Sequence, residues 1–235
     1  MAKNKTGFRK LTYRNLVFMG IFLLLATCNR MDIGEDQPFD NISENESPDF
    51  SRHQFEVFSD DGAQTNAWGD YDSDGDLDLY VGFTADPTSH NKLYENQGEG
   101  KSFIDKSSEL GLDRSGTTRQ PSFIDYDGDG DLDLFVAFRD QLNRLYRNEG
   151  GSFTDVTETS GIGDPRRTVG ASWFDADGDS DLDVFVANQN GDRDGLFLNL
   201  GNGLFEDVAG KLGIDQPGRT SSQGSVGVAV GDYDN

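Results

Sequence analysis

One nine-residue stretch rich in aspartate occurs three times in this chain and constrains the fold more than any other feature. The copies are DYDSDGDLD at 70–78, DYDGDGDLD at 125–133 and DADGDSDLD at 175–183, and a fourth begins at Asp232. Each complete copy carries five aspartates at alternate positions. Two carboxylates about 4 Å apart repel each other by about 1 kcal/mol even in bulk water, and by more near protein. The stretch therefore predicts a bound cation, with three solvated acidic turns as the alternative.

The spacing of the aspartates is typical of a loop that binds a hard cation. Side chains at positions 1, 3, 5 and 9 and the carbonyl oxygen of position 7 can converge on one ion, and a glycine at position 6 permits a sharp turn. Ligands that are all oxygen favour Ca²⁺ over a transition metal. Ser180 stands at position 6 of the third copy and predicts a strained, weaker site. The candidate metal residues are Asp70, Asp72, Asp74, Asp76, Asp78, Asp125, Asp127, Asp129, Asp131, Asp133, Asp175, Asp177, Asp179, Asp181, Asp183, Asp232 and Asp234, with Asp76, Asp131 and Asp181 acting through their carbonyl oxygens.

An EF-hand is disfavoured, because that loop carries a glutamate at position 12 and is flanked by helices. Position 12 is valine in all three copies, and the residues that follow alternate with a period of two, as in a β-strand. One apolar face is predicted for each strand: Leu77, Leu79, Val81 and Phe83, then Leu132, Leu134, Val136 and Phe138, then Leu182, Val184 and Val186.

From about residue 53 the chain is an internal repeat, because the loops begin at residues 70, 125, 175 and 232. The pattern predicts four short strands in each unit: one before the loop, one after it, one around Leu-Tyr or Leu-Phe, and one around a phenylalanine. A turn or single helical turn, such as Val156 to Ser160, links the units. Four strands in about 50 residues are typical of a propeller blade. We predict an all-β fold, a partial β-propeller of about three and a half blades at 54–112, 113–162, 163–214 and 215–235.

These motifs resemble FG-GAP repeats, also known as VCBS repeats, of the kind found in integrin α-subunit propellers. The sub-type is similar to that of ASPIC/UnbV-associated proteins. Three kinds of segment carry this similarity: residues 68–79, Asn-x-Leu-Tyr-x-Asn at 91–96 and 143–148, and Phe-x-Asp-Val-Thr at 153–157. The resemblance covers residues 54–235 and implies about seven blades with Ca²⁺ between the first two strands of a blade. Because the repeats present cannot close such a ring, we expect the sequence to be a fragment.

The N-terminal residues predict export from the cytoplasm. Residues 1–28 combine basic residues with a 12-residue apolar run from Leu16 to Thr27, which suits a signal peptide and is short for a membrane span. Cys28 resembles a lipobox cysteine, although Thr27 departs from the usual small residue; lipidation, plain secretion and an uncleaved anchor are the alternatives. Residues 29–52 are predicted to be a disordered polar tether, and residues 53–235 the propeller, which is secreted or anchored at the cell surface or outer membrane.

The net charge of −23 argues against nucleic acid as a partner, and against a membrane except through the N-terminal signal or lipid. The expected partner is an unknown surface protein or polysaccharide, and the bare apolar edge of an incomplete propeller predicts self-association.

No catalytic residue is predicted, since the sequence contains no nucleophile elbow, phosphate loop, dinucleotide fingerprint or zinc motif. His53 and His90 are expected on the surface, and Trp68, Trp173 and Tyr94 in the blade core rather than stacked on sugars. We predict a non-enzymatic, calcium-stabilised binding or adhesion module. The alternatives are a polysaccharide-active enzyme whose catalytic residues lie in a missing C-terminal part, and a calcium sensor.

Overall fold

The computed structural model describes residues 57–84, 89–98 and 102–231. The chain divides into two units, residues 1–51 and 52–235, and all described residues belong to the second. The predicted export signal, Cys28, the tether and His53 lie outside the described residues, as do Asp232 and Asp234.

The described part of the chain consists mainly of short antiparallel strands in three four-stranded sheets. The first sheet contains β1 (Ala63–Gly69), β2 (Asp78–Phe83), β3 (Lys92–Asn96) and β4 (Phe103–Asp105). The second contains β5 (Thr118–Ile124), β6 (Asp133–Phe138), β7 (Arg144–Asn148) and β8 (Phe153–Asp155). The third contains β9 (Thr168–Phe174), β10 (Asp183–Asn188), β11 (Gly195–Asn199) and β12 (Phe205–Asp207). Within each sheet the strands pair in chain order, so the predicted four strands per repeat and the all-β class are confirmed.

Two helices of a single turn follow the second and third sheets, α1 (Thr157–Ser160) and α2 (Ala209–Leu212). Each ends at a glycine in the left-handed region, Gly161 with φ 78° and Gly213 with φ 70°, a conformation that glycine adopts without steric cost. The helical turn predicted near Val156 is therefore present as α1. Among the described residues, neither helix approaches the length and apolar character that crossing a membrane requires.

Consecutive sheets pack face to face, so the second strand of a sheet with neighbours is buried on both sides. In β6, Leu134 and Val136 belong to the core shared with the first sheet, whereas Phe135 and Ala137 belong to the core shared with the third. All six residues of β6 are buried. Such packing, in which each sheet buries its apolar faces against the next, is that of propeller blades, and the described sheets form part of a propeller.

Two expectations about the core are wrong. The sequence predicts that the apolar face starts at Leu77, but β2 begins one residue later and Leu77 is 48% exposed. Tyr80, which lies between two residues of the predicted face, is itself fully buried because the second sheet packs on that side of β2. Trp68 is 41% exposed rather than core, since no sheet in the described residues packs before the first. Tyr94 is buried as expected, and Trp173 is half-buried, with its ring 5.4 Å from that of Phe135.

The fourth repeat forms no strand within residues 215–231. Its first segment lies beside the third sheet, where the Ser225 N–H donates to the Asn188 carbonyl oxygen at 2.8 Å. In each of the other repeats the first strand pairs with the strand that follows the acidic loop. For the fourth repeat, the described residues end before that second strand would begin. The three complete sheets are therefore the ones that position the acidic loops.

Candidate metal centre

The three acidic stretches connect the first and second strands of their sheets, so they lie at equivalent places. We name them loop 1 (70–78), loop 2 (125–133) and loop 3 (175–183), with positions 1 to 9 in chain order. Because all three sheets have the same strand order, equivalent loop positions lie beside the same strands of their own sheet.

Carboxylate oxygens from positions 1, 3 and 9 converge in every loop. One oxygen from each lies within 4.8 Å of the other two, in the groups Asp70, Asp72 and Asp78; Asp125, Asp127 and Asp133; and Asp175, Asp177 and Asp183. Anionic oxygens are the donors that Ca²⁺ prefers. The donor set of each loop therefore fits a hard divalent cation.

Position 9 is the buried member of each group, and backbone N–H groups hold it in place. Asp78 accepts from Asn96 N–H through Oδ1 at 2.8 Å and from Tyr71 N–H through Oδ2 at 3.1 Å. The same two bonds recur, at 2.7–3.1 Å, in Asp133 and Asp183. Burial of a carboxylate is unfavourable unless it is hydrogen-bonded, and each oxygen retains a lone pair that can face an ion.

The electrostatics of the loops also favour a cation. Burial raises the pKa of Asp78 and Asp133 to about 7, against the opposing effect of their backbone N–H donors. Burial, followed by the charge of the aspartate at position 5, raises the pKa of Asp72 and Asp127. A raised pKa means that the ionised carboxylate is held at a free-energy cost, which a nearby positive charge offsets.

Position 1 shapes the turn. Both oxygens of Asp70 accept loop N–H groups, from Asp74 and from Gly75 at 3.0 Å each. In loops 2 and 3 the position 6 N–H again donates to the first aspartate, at 3.1 Å each, but the other donor is the N–H of position 4, Gly128 at 2.9 Å and Gly178 at 2.7 Å.

Positions 5 and 7 do not join the converging carboxylates. The position 5 side chain accepts the N–H of position 7, at 2.9 Å for Asp129 and Asp131. The carboxylate of Asp131, at position 7, accepts a hydrogen bond from outside the loop, from the Gly150 N–H at 2.7 Å. The assignment of position 5 as a ligand stays a prediction, and so does that of the position 7 carbonyl oxygen.

The backbone takes a left-handed conformation at positions 4 and 6. At position 6, Gly75 and Gly130 have φ of 95° and 96°, and Ser180 has φ 78°, so Ser180 carries the strain that its sequence predicts. Ser73 at position 4 has φ 60°, a left-handed conformation that was not predicted from the sequence. Glycine at the same position of the other two loops, Gly128 and Gly178, was the signal that indicated it. Loop 2 alone among these three has glycine at both positions.

The third strand of each sheet places further side chains at the loops. Asn96, Asn148 and Asn199 donate through Nδ2 to the position 8 carbonyl oxygen of their own loop, at 3.1, 3.0 and 3.4 Å. Sequence reasoning gave these asparagines no role, although they recur in the repeat.

Charged side chains of opposite sign approach loops 1 and 2 from the same strand position. Glu95 in β3 accepts the Tyr71 hydroxyl at 2.7 Å, and its charge adds to burial and Asp74 in raising the pKa of Asp72. Arg147 in β7 has a positive charge that acts to lower the pKa of Asp127 against burial. His90 is exposed, as expected, with Nδ1 2.9 Å from the Asp113 carbonyl oxygen.

Comparison with known proteins agrees with this geometry. The sequence model of the FG-GAP-like repeat matches residues 70–136, 125–186 and 175–235, and each match begins at the first aspartate of a loop. No curated protein matches the chain. The matches span well over half of the sequence, and the chain belongs to the family of FG-GAP-like repeat proteins.

Proposed function

We propose that this chain is a calcium-stabilised, non-enzymatic propeller module that acts outside the cytoplasm in binding or adhesion. The observation that carries the proposal is the donor set of positions 1, 3 and 9, repeated three times with the same supporting bonds. FG-GAP repeats are typical of extracellular domains and of modules without catalytic activity, which supports the location and the class. The ASPIC/UnbV-associated sub-type and the lipidation of Cys28 stay predictions.

The proposed role of Ca²⁺ is structural. The ion supplies positive charge where three carboxylates meet, and the buried one of these, at position 9, belongs to the second strand of its sheet, which is already paired on both sides. The position 9 aspartate is bonded to the third strand, so the ion joins the loop to the sheet rather than to a mobile element. A sensor instead needs a second packed arrangement that the ion selects.

The expected stabilisation is large enough to measure. Extracellular Ca²⁺ modules typically have Kd of about 10⁻⁴–10⁻³ M. At ten times Kd one site contributes about 1.4 kcal/mol to the free energy of unfolding, and three independent sites about 4 kcal/mol. We propose an unidentified surface protein or polysaccharide as the partner, with membrane contact only through the N-terminal segment.

Thermal unfolding with Ca²⁺ and with chelator tests the proposal. Chelation is expected to lower the Tm, and Asp127→Asn is expected to remove at least a third of that difference, since position 3 is a donor with few backbone bonds. Glu158→Gln, an exposed acidic residue in α1, is the matched control and should keep the full difference. A Tm that chelator leaves unchanged, together with calorimetry showing no Ca²⁺ uptake at millimolar concentration, would contradict the proposal. An unchanged Tm with altered binding of a partner would favour a sensor.

A further inference from the structure

Asn148, at the end of β7, joins loop 2 to the loop of the preceding sheet. Its Nδ2 donates to the Leu132 carbonyl oxygen in loop 2 at 3.0 Å and to the Tyr71 carbonyl oxygen in loop 1 at 2.7 Å. The second bond joins residues 77 positions apart in the sequence. Asn148 is fully buried, so water cannot replace either bond without opening the interface between the sheets.

The orientation of the Asn148 side chain is determined by its surroundings. Both Nδ2 hydrogens face carbonyl oxygens, while Oδ1 accepts Gly151 N–H at 2.8 Å. A rotated amide would place its oxygen against two carbonyl oxygens and leave that N–H facing an amide nitrogen. The side chain therefore acts as a rigid link with every polar atom satisfied.

The same link occurs once more among the residues that the structure describes. Asn199, at the end of β11, donates through Nδ2 to the Tyr126 carbonyl oxygen in loop 2 at 2.8 Å, and to the Leu182 carbonyl oxygen in its own loop 3 at 3.4 Å. Loops 1 and 2 and loops 2 and 3 are thus joined in the same way, which makes the link a property of the interface rather than of one site.

The links end on candidate ion ligands. Tyr71 receives Asn148 on its carbonyl oxygen and donates its own N–H to Asp78 in loop 1 at 3.1 Å. On the other side, Asn148 N–H donates to Asp133 in loop 2 at 2.8 Å. A continuous series of hydrogen bonds therefore runs from the buried donor of one loop to that of the next.

We propose that Asn148 and Asn199 are positioning residues that couple the ion sites of neighbouring sheets, so that Ca²⁺ bound in one loop raises the affinity of the next. The inference rests on the proposed function, that the loops bind Ca²⁺. An ion in loop 1 restrains Asp78 and the Tyr71 main chain, and the rigid Asn148 transmits this restraint to the donor Asp133 in loop 2. The second ion then binds a loop whose ordering entropy has already been lost, and by linkage the effect is reciprocal. Couplings between protein sites start at about fivefold, which is the effect expected here.

Calorimetric Ca²⁺ titration of site variants measures the coupling. Asp177→Asn leaves loops 1 and 2, and adding Asp72→Asn or Asp127→Asn leaves one of them. For the variant that keeps loops 1 and 2, the two stepwise association constants are multiplied together. The ratio of this product to the product of the two constants measured in the single-loop variants is expected to be about five. Asn148→Ala should reduce this ratio to one. Asn96→Ala is the matched control, because Asn96 makes the same bonds within its own sheet, to Leu77 and Asp78, and lies in the first described sheet; the ratio should persist there.

Each result decides between the hypotheses. A ratio of one in the parent pair, or a ratio unchanged by Asn148→Ala, overturns the coupling while calcium binding stands. Absence of Ca²⁺ uptake in every loop overturns the proposed function itself. If Asn148→Ala does not fold, Asn199→Ala in the Asp72→Asn background makes the same comparison for loops 2 and 3.

Discussion

Single residues distinguish the three loops through their backbone rather than through their carboxylates. All three loops carry aspartate at positions 1, 3, 5, 7 and 9. Loop 1 has Ser73 at a position with φ 60°, and loop 3 has Ser180 at a position with φ 78°, whereas loop 2 has glycine at both. A non-glycine residue in the left-handed region costs roughly 1–2 kcal/mol. Loop 2 is therefore the least strained of the three.

Exchange of glycine and serine at position 6 tests this strain. Gly130→Ser is expected to lower the free energy of unfolding by about 1 kcal/mol, and Ser180→Gly to raise it by a similar amount, because in both exchanges the freedom of glycine in the unfolded chain offsets part of the strain. A Cβ at Gly130 meets open space, so the change isolates the φ preference from steric contact. Denaturant midpoints measure both variants, and a neutral Gly130→Ser would contradict the prediction.

The buried aspartates predict that calcium affinity falls as the pH is lowered from 8 to 6. Burial raises the pKa of Asp78 and Asp133 to about 7, above the value of about 3.9 in an unfolded chain. Below pH 7 an ion must displace a proton from these carboxylates, so the affinity decreases. The folded, metal-free chain conversely gains stability from these groups as the pH falls from 7 toward 4. The Tm difference between Ca²⁺ and chelator should therefore shrink from pH 8 to pH 6; equal differences at both pH values would refute it.

Among the elements, the third strand of each sheet adjusts the loop beside it. β3 brings Glu95 to loop 1, β7 brings Arg147 to loop 2, and β11 has Leu198 at the equivalent place. A negative charge beside the carboxylates favours a cation, and a positive charge opposes it. The strand that holds position 9 through its backbone thus also sets the local potential.

Charge exchange on these strands should alter calcium affinity in opposite directions. Arg147→Glu is expected to raise the affinity of loop 2 a few-fold, and Glu95→Arg to lower that of loop 1 by a similar factor. The effect is modest because the Arg147 side chain is partly exposed and is screened by salt. Arg144→Gln, in the same strand but paired with Asp155, is the control and should leave affinity unchanged. Titrations at low and high salt measure the factor, which should shrink with salt; an effect of the wrong sign would exclude electrostatic tuning.

The elements also show what the sequence could and could not predict. Strands and loops were predictable because alternation, turn glycines and the repeat are encoded within short stretches. The exposure of Leu77 and Trp68 was not predicted, because it depends on which sheet packs on each face. The bond from Asn148 to Tyr71 was beyond local pattern for the same reason, since it joins residues 77 positions apart. The spacing predicts that positions 1, 3, 5 and 9 converge; positions 1, 3 and 9 do so, whereas the position 5 side chain accepts the N–H of position 7, a bond that the spacing alone does not reveal.

At the scale of the stacked sheets, equivalent residues differ in burial according to their neighbours. Leu112 and Ile162 occupy the same repeat position and are 0% and 1% exposed, whereas Ile214 in the third repeat is 40% exposed. Trp68 and Trp173 differ likewise on the opposite face. The first sheet thus presents the face on which Trp68 lies, which we call the backward face. The third sheet presents the face beside Ile214, which we call the forward face. Between consecutive sheets, a forward face packs against a backward face. Faces of these two kinds are complementary to each other rather than to themselves.

The whole chain is therefore expected to self-associate head to tail, through the forward face of one copy and the backward face of another. Its mean mass in light scattering should rise with concentration, and Trp68→Lys or Ile214→Lys should each reduce this association. Ile104→Lys is the control, since Ile104 is equally exposed but lies on the outer strand β4. The sharpest test mixes the first two variants. Each retains one intact face, of opposite kind, so the mixture should form a mixed dimer that neither variant forms alone. A mixture that stays monomeric while the unmodified chain associates would show that the contact is not the head-to-tail one that the stacking of the sheets predicts.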